Sequence, residues 1–308
     1  MKRLAVLALC LAAFASTAAR SSSPSYQGLW WNPTQSGWGV NIVHQGDTFF
    51  ATWFTYDDNG NGMWLVMPSL QLDSSSMDSG YMMDMDMGMD MGMGMGMGDM
   101  GGSPLPTYDG SVYRTTGPAF STAPFDTTKV KATQVGMAQF QFYDDNNGAF
   151  TYTIGGGSSQ TVYITREVFG PMPDCSLGGT PAATPNFTDL WWRSGGTESG
   201  WGVNVVQEGD EVFATLFAYD ANGQGEWLVM PGASQTAATT WTGTLYRTNG
   251  PAFDAAWDAS KVASRVAGTA TFAFTDASNG TFSATIDGVS ISKPISREVF
   301  GSPTTVCR

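Results

Sequence analysis

The sequence predicts an all-β protein: two tandem antiparallel meander domains, each closing as an eight-stranded up-and-down barrel, with a β-sandwich as the alternative. Three observations predict it. Most of the chain repeats itself in order, apolar residues alternate at a period of two, and short turns of glycine, asparagine and aspartate separate the runs. The 38 glycines, 11 tryptophans and 18 phenylalanines fit short aromatic strands between tight turns.

The beginning of the chain reads as a segment outside the fold. Lys2 and Arg3 precede an apolar run from Leu4 to Phe14, and small residues lead to Thr17-Ala18-Ala19. This is the pattern of a secretory signal peptide over 1–19, too short for the roughly 20 apolar residues of a membrane span. Cys10 follows Leu9, where a lipoprotein signal needs a small residue. The expected location is therefore periplasmic or secreted. The formal charge is -13, and it becomes -15 once Lys2 and Arg3 are removed. Such a chain repels phosphate backbones, which argues against nucleic acid, and it attracts cations.

The repeat sets the domain boundaries. Leu29-Trp30-Trp31 returns as Leu190-Trp191-Trp192, and Ser36-Gly37-Trp38-Gly39-Val40-Asn41 as Ser199-Gly200-Trp201-Gly202-Val203-Asn204. Trp64 to Pro68 returns at Trp227 to Pro231, Tyr113-Arg114-Thr115 at Tyr246-Arg247-Thr248, and Arg166 to Gly170 at Arg297 to Gly301. Gly117-Pro118-Ala119-Phe120 is matched by Gly250 to Phe253. The units span 25–175 and 185–307, with a linker at 176–184.

Each element follows from pattern. Val40, Ile42 and His44 share one strand face, with Asn41, Val43 and Gln45 on the other; Phe140 with Phe142, and Phe272 with Phe274, repeat the alternation. Gln45-Gly46-Asp47 and Asp57-Asp58-Asn59-Gly60 supply the left-handed conformations that hairpins require. Neither Asp57 to Gly62 nor its copy completes a calcium loop, because the terminal glutamate is missing. Thr127 to Thr133 has room for a short helical turn.

The Trp-Trp, Ser-Gly-Trp-Gly and Tyr-Arg-Thr…Gly-Pro…Phe segments resemble a group of exported proteobacterial repeat domains found alone, in tandem or appended to secreted enzymes. The resemblance covers both units and implies export and modularity but no activity. The tryptophan-bearing opening strand is also similar to avidin-like and lipocalin-like barrels, without ligand residues to carry across.

One segment departs from the repeat. Pro68 and Tyr113 stand 45 positions apart and their counterparts Pro231 and Tyr246 only 15, so unit one holds 30 additional residues, nearly all within 74–102. They include Met77, Met82, Met83, Met85, Met87, Met89, Met91, Met93, Met95, Met97 and Met100, which are 11 of the chain's 17 methionines. Asp73, Asp78, Asp84, Asp86, Asp90 and Asp99 accompany them, and from Gly88 to Gly98 glycine alternates with methionine at every position but Asp90. Glycine and methionine specify packing poorly, so the segment reads as a surface loop and not as core.

Thioether sulfur is soft, neutral and free of any need to deprotonate, so the run selects Cu(I) or Ag(I) over zinc, calcium or magnesium. The aspartates add attraction for cations and oxygen donors for a secondary Cu(II). The Met-x-Met pattern resembles the methionine motifs of periplasmic copper-handling proteins. This reading implies soft metal ions as cargo and a copper-handling protein as partner. Competing readings are an oxidant sink, a spacer, or an incidental loop on a tandem module that binds cell-surface glycan or protein through its tryptophans.

Little else carries chemistry. His44, the only histidine, has Gln207 as its counterpart and reads as a surface or locally hydrogen-bonded residue, with Cu(II) contact as the alternative. Arg114/Arg247 and Arg166/Arg297 read as structural cations partnered by Glu167/Glu298 or Asp126/Asp258. No nucleophile motif, zinc cluster or phosphate loop is present, so no enzyme is predicted. Cys175 and Cys307 each follow the last strand of their unit. In an oxidising compartment they pair with each other and clasp the units, or bridge to other molecules, or stay free.

Overall fold

A computed structural model describes residues 24–74 and 105–308; the signal-peptide positions and the methionines from Met77 to Met100 lie outside the described residues. Strands β1 (Gly28–Trp31), β2 (Gly39–Gln45), β3 (Thr48–Tyr56), β4 (Gly62–Leu72), β5 (Thr107–Thr116), β6 (Lys131–Phe142), β7 (Asn147–Ile154) and β8 (Gln160–Arg166) form barrel one. After the short β9 (Cys175–Leu177), barrel two repeats the order with β10 (Asp189–Arg193), β11 (Gly202–Glu208), β12 (Glu211–Tyr219) and β13 (Gly225–Ala237). It continues with β14 (Thr240–Asn249), β15 (Ala263–Phe274), β16 (Asn279–Ile286) and β17 (Val289–Arg297), and β18 (Thr305–Cys307) ends the chain.

Each meander closes because its first strand pairs with its last. Trp30 lies opposite Arg166, and Trp191 opposite Arg297. Closure removes the open edges that a sandwich would leave. The aspartates of the hairpins are turn formers: Asp57 Oδ1 accepts from the amides of Asn59 and Asn61, both at 2.9 Å. Asp126 and Asp258 cap one-turn 3-10 helices at Thr127–Lys129 and Ala259–Lys261. Among the described residues there is no α-helix, and none long and apolar enough to cross a membrane.

The barrels are filled, not hollow. Trp30 and Trp191 are fully buried, and their indoles donate to the carbonyls of Tyr26 and Phe187 at 2.9 and 3.0 Å. Tyr26 stacks on Phe142 with ring centroids 3.9 Å apart, and Phe187 stacks on Phe274 at 4.0 Å. Burying one such side chain stabilises by about 1.5–3 kcal/mol. Arg166 and Arg297 lie over Trp30 and Trp191, 4.7 and 4.9 Å from the ring centroids.

Strand β2 is buried on both faces. Val40 and Ile42 belong to barrel one's core, as alternation predicts, while Asn41 and Gln45 reach the other barrel. The barrels meet through reciprocal contacts. Trp64 Nε1 donates to the carbonyl of Ala218 at 3.0 Å, and Trp227 Nε1 to that of Thr55 at 2.8 Å. Gln45 Oε1 accepts from the amides of Phe300 and Gly301, both at 2.9 Å, while Glu208 Oε2 accepts from those of Phe169 and Gly170 at 2.7 Å.

Each barrel is also capped by a loop of its neighbour. The amide of Phe253 donates to Tyr56 O at 3.2 Å and its ring packs 5.5 Å from Trp53; the amide of Phe120 donates to Tyr219 O at 3.0 Å and its ring packs 5.0 Å from Trp201. Lys293 completes the second cap. Its ammonium pairs with Glu198 at 2.5 Å and faces the rings of Phe120 and Trp201.

Candidate functional site

Strands β4 and β5 carry the root of the methionine segment. Gln71 lies opposite Asp109 and Leu72 opposite Tyr108, and the amide of Asp73 donates to Thr107 O at 2.8 Å. The ladder is therefore paired up to the point where the insertion leaves. In unit two the same connection is a hairpin, with only Ala238 and Thr239 between β13 and β14.

An aromatic cluster fills the barrel beneath that root. Tyr108 stacks on Phe49 at 3.6 Å between centroids, and its hydroxyl lies 3.2 Å from His44 Nε2. His44 Nδ1 accepts from the amide of Tyr26 at 3.3 Å, so the ring is neutral, with its proton on Nε2 facing Tyr108. Burial lowers its pKa to about 4. The side chain is thus locally hydrogen-bonded, as expected, but it is not at the surface. With 1% exposure and both nitrogens engaged, it offers nothing to Cu(II). Gln207 does the same work in unit two, accepting from the amide of Phe187 at 3.0 Å.

The remaining methionines divide. Met63, Met67 and Met230 are core residues, while Met137 and Met172 are exposed. Met137 sulfur accepts from Ser111 Oγ and Gln134 Nε2 at 3.6 and 3.7 Å. Among the described residues no three His, Cys, Asp or Glu side chains come together as a metal site.

Cys175 and Cys307 form a disulfide with Cα atoms 4.0 Å apart, between paired β9 and β18. The intramolecular clasp is the arrangement adopted. The arginine partners differ from expectation. Arg247 pairs with Glu226 at 2.8 Å and Asp287 at 2.6 Å, and Arg297 pairs with Asp189 at 2.7 Å. Asp126 and Asp258 instead accept from their own turns and face Lys129 and Lys261. Where unit two has Asp189, unit one has Gly28, and a β-carbon there would lie 2.8 Å from Arg166 Nη1. Arg166 donates to the carbonyls of Ser25, Gln27 and Asp145, as Arg297 does to the matching carbonyls of Asn186, Thr188 and Ala277.

Three of the four duplicated tryptophan pairs are buried. Trp38, Trp64, Trp201 and Trp227 are no more than 6% exposed. Trp192, half-buried, lines a cleft of about 430 Å³ between the barrels with Trp64, Tyr113, Phe217 and Glu298. Sequence reasoning did not find this cleft, because its walls come from both units. Glu298 Oε2 is buried there without a hydrogen-bond partner. Desolvation first, and Asp189 second, raise the Glu298 pKa to about 7.

No protein-family model matches this chain, and no curated protein and no solved structure matches it either.

Proposed function

We propose that the chain is an exported Cu(I)- or Ag(I)-binding protein of the periplasm or cell exterior. It captures, buffers or delivers the ion through Met77 to Met100, with the double barrel as rigid carrier. The observation that carries this reading is the closed ladder beneath the insertion. Rungs Gln71–Asp109 and Leu72–Tyr108 pair where the insertion starts and ends, and unit two makes the same connection with two residues, so the fold does not require this run of 11 thioethers. Such a run is soft, uncharged donor chemistry.

Anaerobic titration against a competing Cu(I) chelator tests the reading. About two to four ions per chain are expected, given three or four soft ligands for each. Replacing Met82 to Met100 by Gly/Ser abolishes that uptake; unchanged uptake refutes the assignment. Retention of Cu(I) at pH 4 identifies thioether donors, since histidine and carboxylate take up protons in that range. The rival, a glycan- or protein-binding tandem module, has the inter-barrel cleft in its favour, where Trp192 is half-buried. It predicts ligand-induced quenching of tryptophan fluorescence that survives removal of the methionines.

A further inference from the structure

Many contacts between the barrels follow a rule that a covalently joined pair does not need, the bonds of Thr305 to Ser25 and His44 and of Tyr152 to Phe253 being exceptions. When residue i of unit one touches residue j of unit two, the counterpart of j in unit one touches the counterpart of i in unit two. Trp64 to Ala218 is answered by Trp227 to Thr55, and Asn204 to Thr52 (2.7 Å) by Asn41 to Thr215 (3.5 Å). The amide of Gly117 donates to Gly223 O and that of Gly250 to Gly60 O, both at 3.1 Å. A β-carbon on Gly37 would strike Val262, and one on Gly200 would strike Val130. Reciprocity of this kind defines an isologous interface, in which one patch is complementary to itself.

The disulfide marks where the axis runs. In the β9–β18 ribbon Cys175 lies directly opposite its own counterpart, Cys307. On one side Ser176 faces Val306; on the other Asp174 and Arg308 exchange both backbone hydrogen bonds at 2.9 Å. A pair of counterparts can face each other only on a two-fold axis, so the axis passes through the disulfide.

We infer that the barrel–barrel contact is a complete two-fold dimer interface carried whole by each unit. A second copy of this chain furnishes either half of it, and two copies of unit two pair through the same face. In that homotypic pair Cys307 meets Cys307. The partner is thus another molecule of the same chain, and the linker together with the Cys175–Cys307 disulfide holds that pairing within one molecule. The repeated Ser-Gly-Trp-Gly and Gly-Pro-Ala-Phe segments supply Gly37, Gly200, Gly117 and Gly250 to this interface, which explains their duplication without reference to any ligand.

The test starts from the folded full chain. A protease site is placed between Gly179 and Thr184, the chain is cut, and the disulfide is reduced. Unlabelled and ¹⁵N-labelled preparations are mixed in mild denaturant, returned to buffer and read by native mass spectrometry. Two-barrel complexes that keep the parent's near-UV spectrum are expected, about half of the cross-unit complexes carrying one label from each preparation. A unit two–unit two pair is expected beside them, yielding a Cys307–Cys307 peptide on reoxidation. A cut Cys175→Ser/Cys307→Ser chain exchanges in the same way, which excludes random oxidation as the cause. Halves that part into monomers, or complexes that hold only their parental masses under conditions where the halves separate, overturn the inference.

Discussion

Gly117 lies flat against the ring of Tyr219: a β-carbon at position 117 would come within 2.5 Å of Tyr219 Cε2. Tyr219 is 1% exposed and has no room to swing aside. Gly117→Ala should therefore cost about 1–3 kcal/mol, the usual penalty of over-packing a filled site. Gly250→Ala, facing Tyr56, should cost about the same. Gly232→Ala is the control, since nothing lies within 4 Å of its β-carbon. Urea midpoints of the three variants check this, and an unchanged midpoint for Gly117→Ala would mean that the interface is loosely packed.

Acid should act on barrel one through His44. Its pKa in the fold is about 4, against 6.5 when unhindered, so the unfolded chain takes up the proton first. The stability this group contributes is present above pH 6.5 and is lost as pH falls towards 4, to a total of roughly 3 kcal/mol. His44→Gln copies the Gln207 arrangement and should remove that loss. Glu298 acts in the opposite sense. Its raised pKa makes the folded chain bind a proton between about 7 and 4.5, so its contribution grows as pH falls through that window. Denaturation midpoints at pH 7.5, 6 and 4.5 separate the two, His44→Gln lifting the acid arm and Glu298→Gln lifting the neutral arm, since the amide carries no charge for burial to penalise. Parallel curves for wild type and His44→Gln would refute the assignment.

Deleting 74–102 should leave both barrels folded. The rungs at Gln71 and Leu72 remain, and unit two closes the same connection with two residues. Loop-closure entropy changes only logarithmically with length, so stability should shift by roughly 1 kcal/mol or less. A melting temperature lower by many degrees would show that the segment packs on the barrel.

Much of this fold was legible in the chain, for a physical reason. Barrel strands depend on local alternation, and Phe140 with Phe142 or Val40 with Ile42 declare their face by spacing alone. The repeat fixed where each unit starts and stops, and the two cysteines left one intramolecular pairing. What stayed hidden depends on contacts between distant parts. His44 looked like half of an ordinary strand face, but its ring packs against residues from β3 and β5, and only closure places them together. The partners of Arg247 and Arg297 are set by register across neighbouring strands, which composition does not reveal. The roles of Gly37 and Gly117 belong to the second barrel. Their recurrence at Gly200 and Gly250 was the available signal, and on its own it marks a repeat without saying what the glycines touch. The methionine segment was conspicuous because it lacks any such partner in the repeat.

The exchanged caps also impose an order on events. Phe253, which covers barrel one, lies 101 residues after Tyr152, whose hydroxyl donates to its carbonyl at 3.3 Å. A chain emerging from its amino end therefore completes all eight strands of barrel one long before the cap exists. Until then Trp53 and Tyr152 face water, and the barrel waits with an open aromatic mouth. The first unit is in this sense finished by the second, and arrested chains ending before Gly250 should be the ones that proteases and holding chaperones capture.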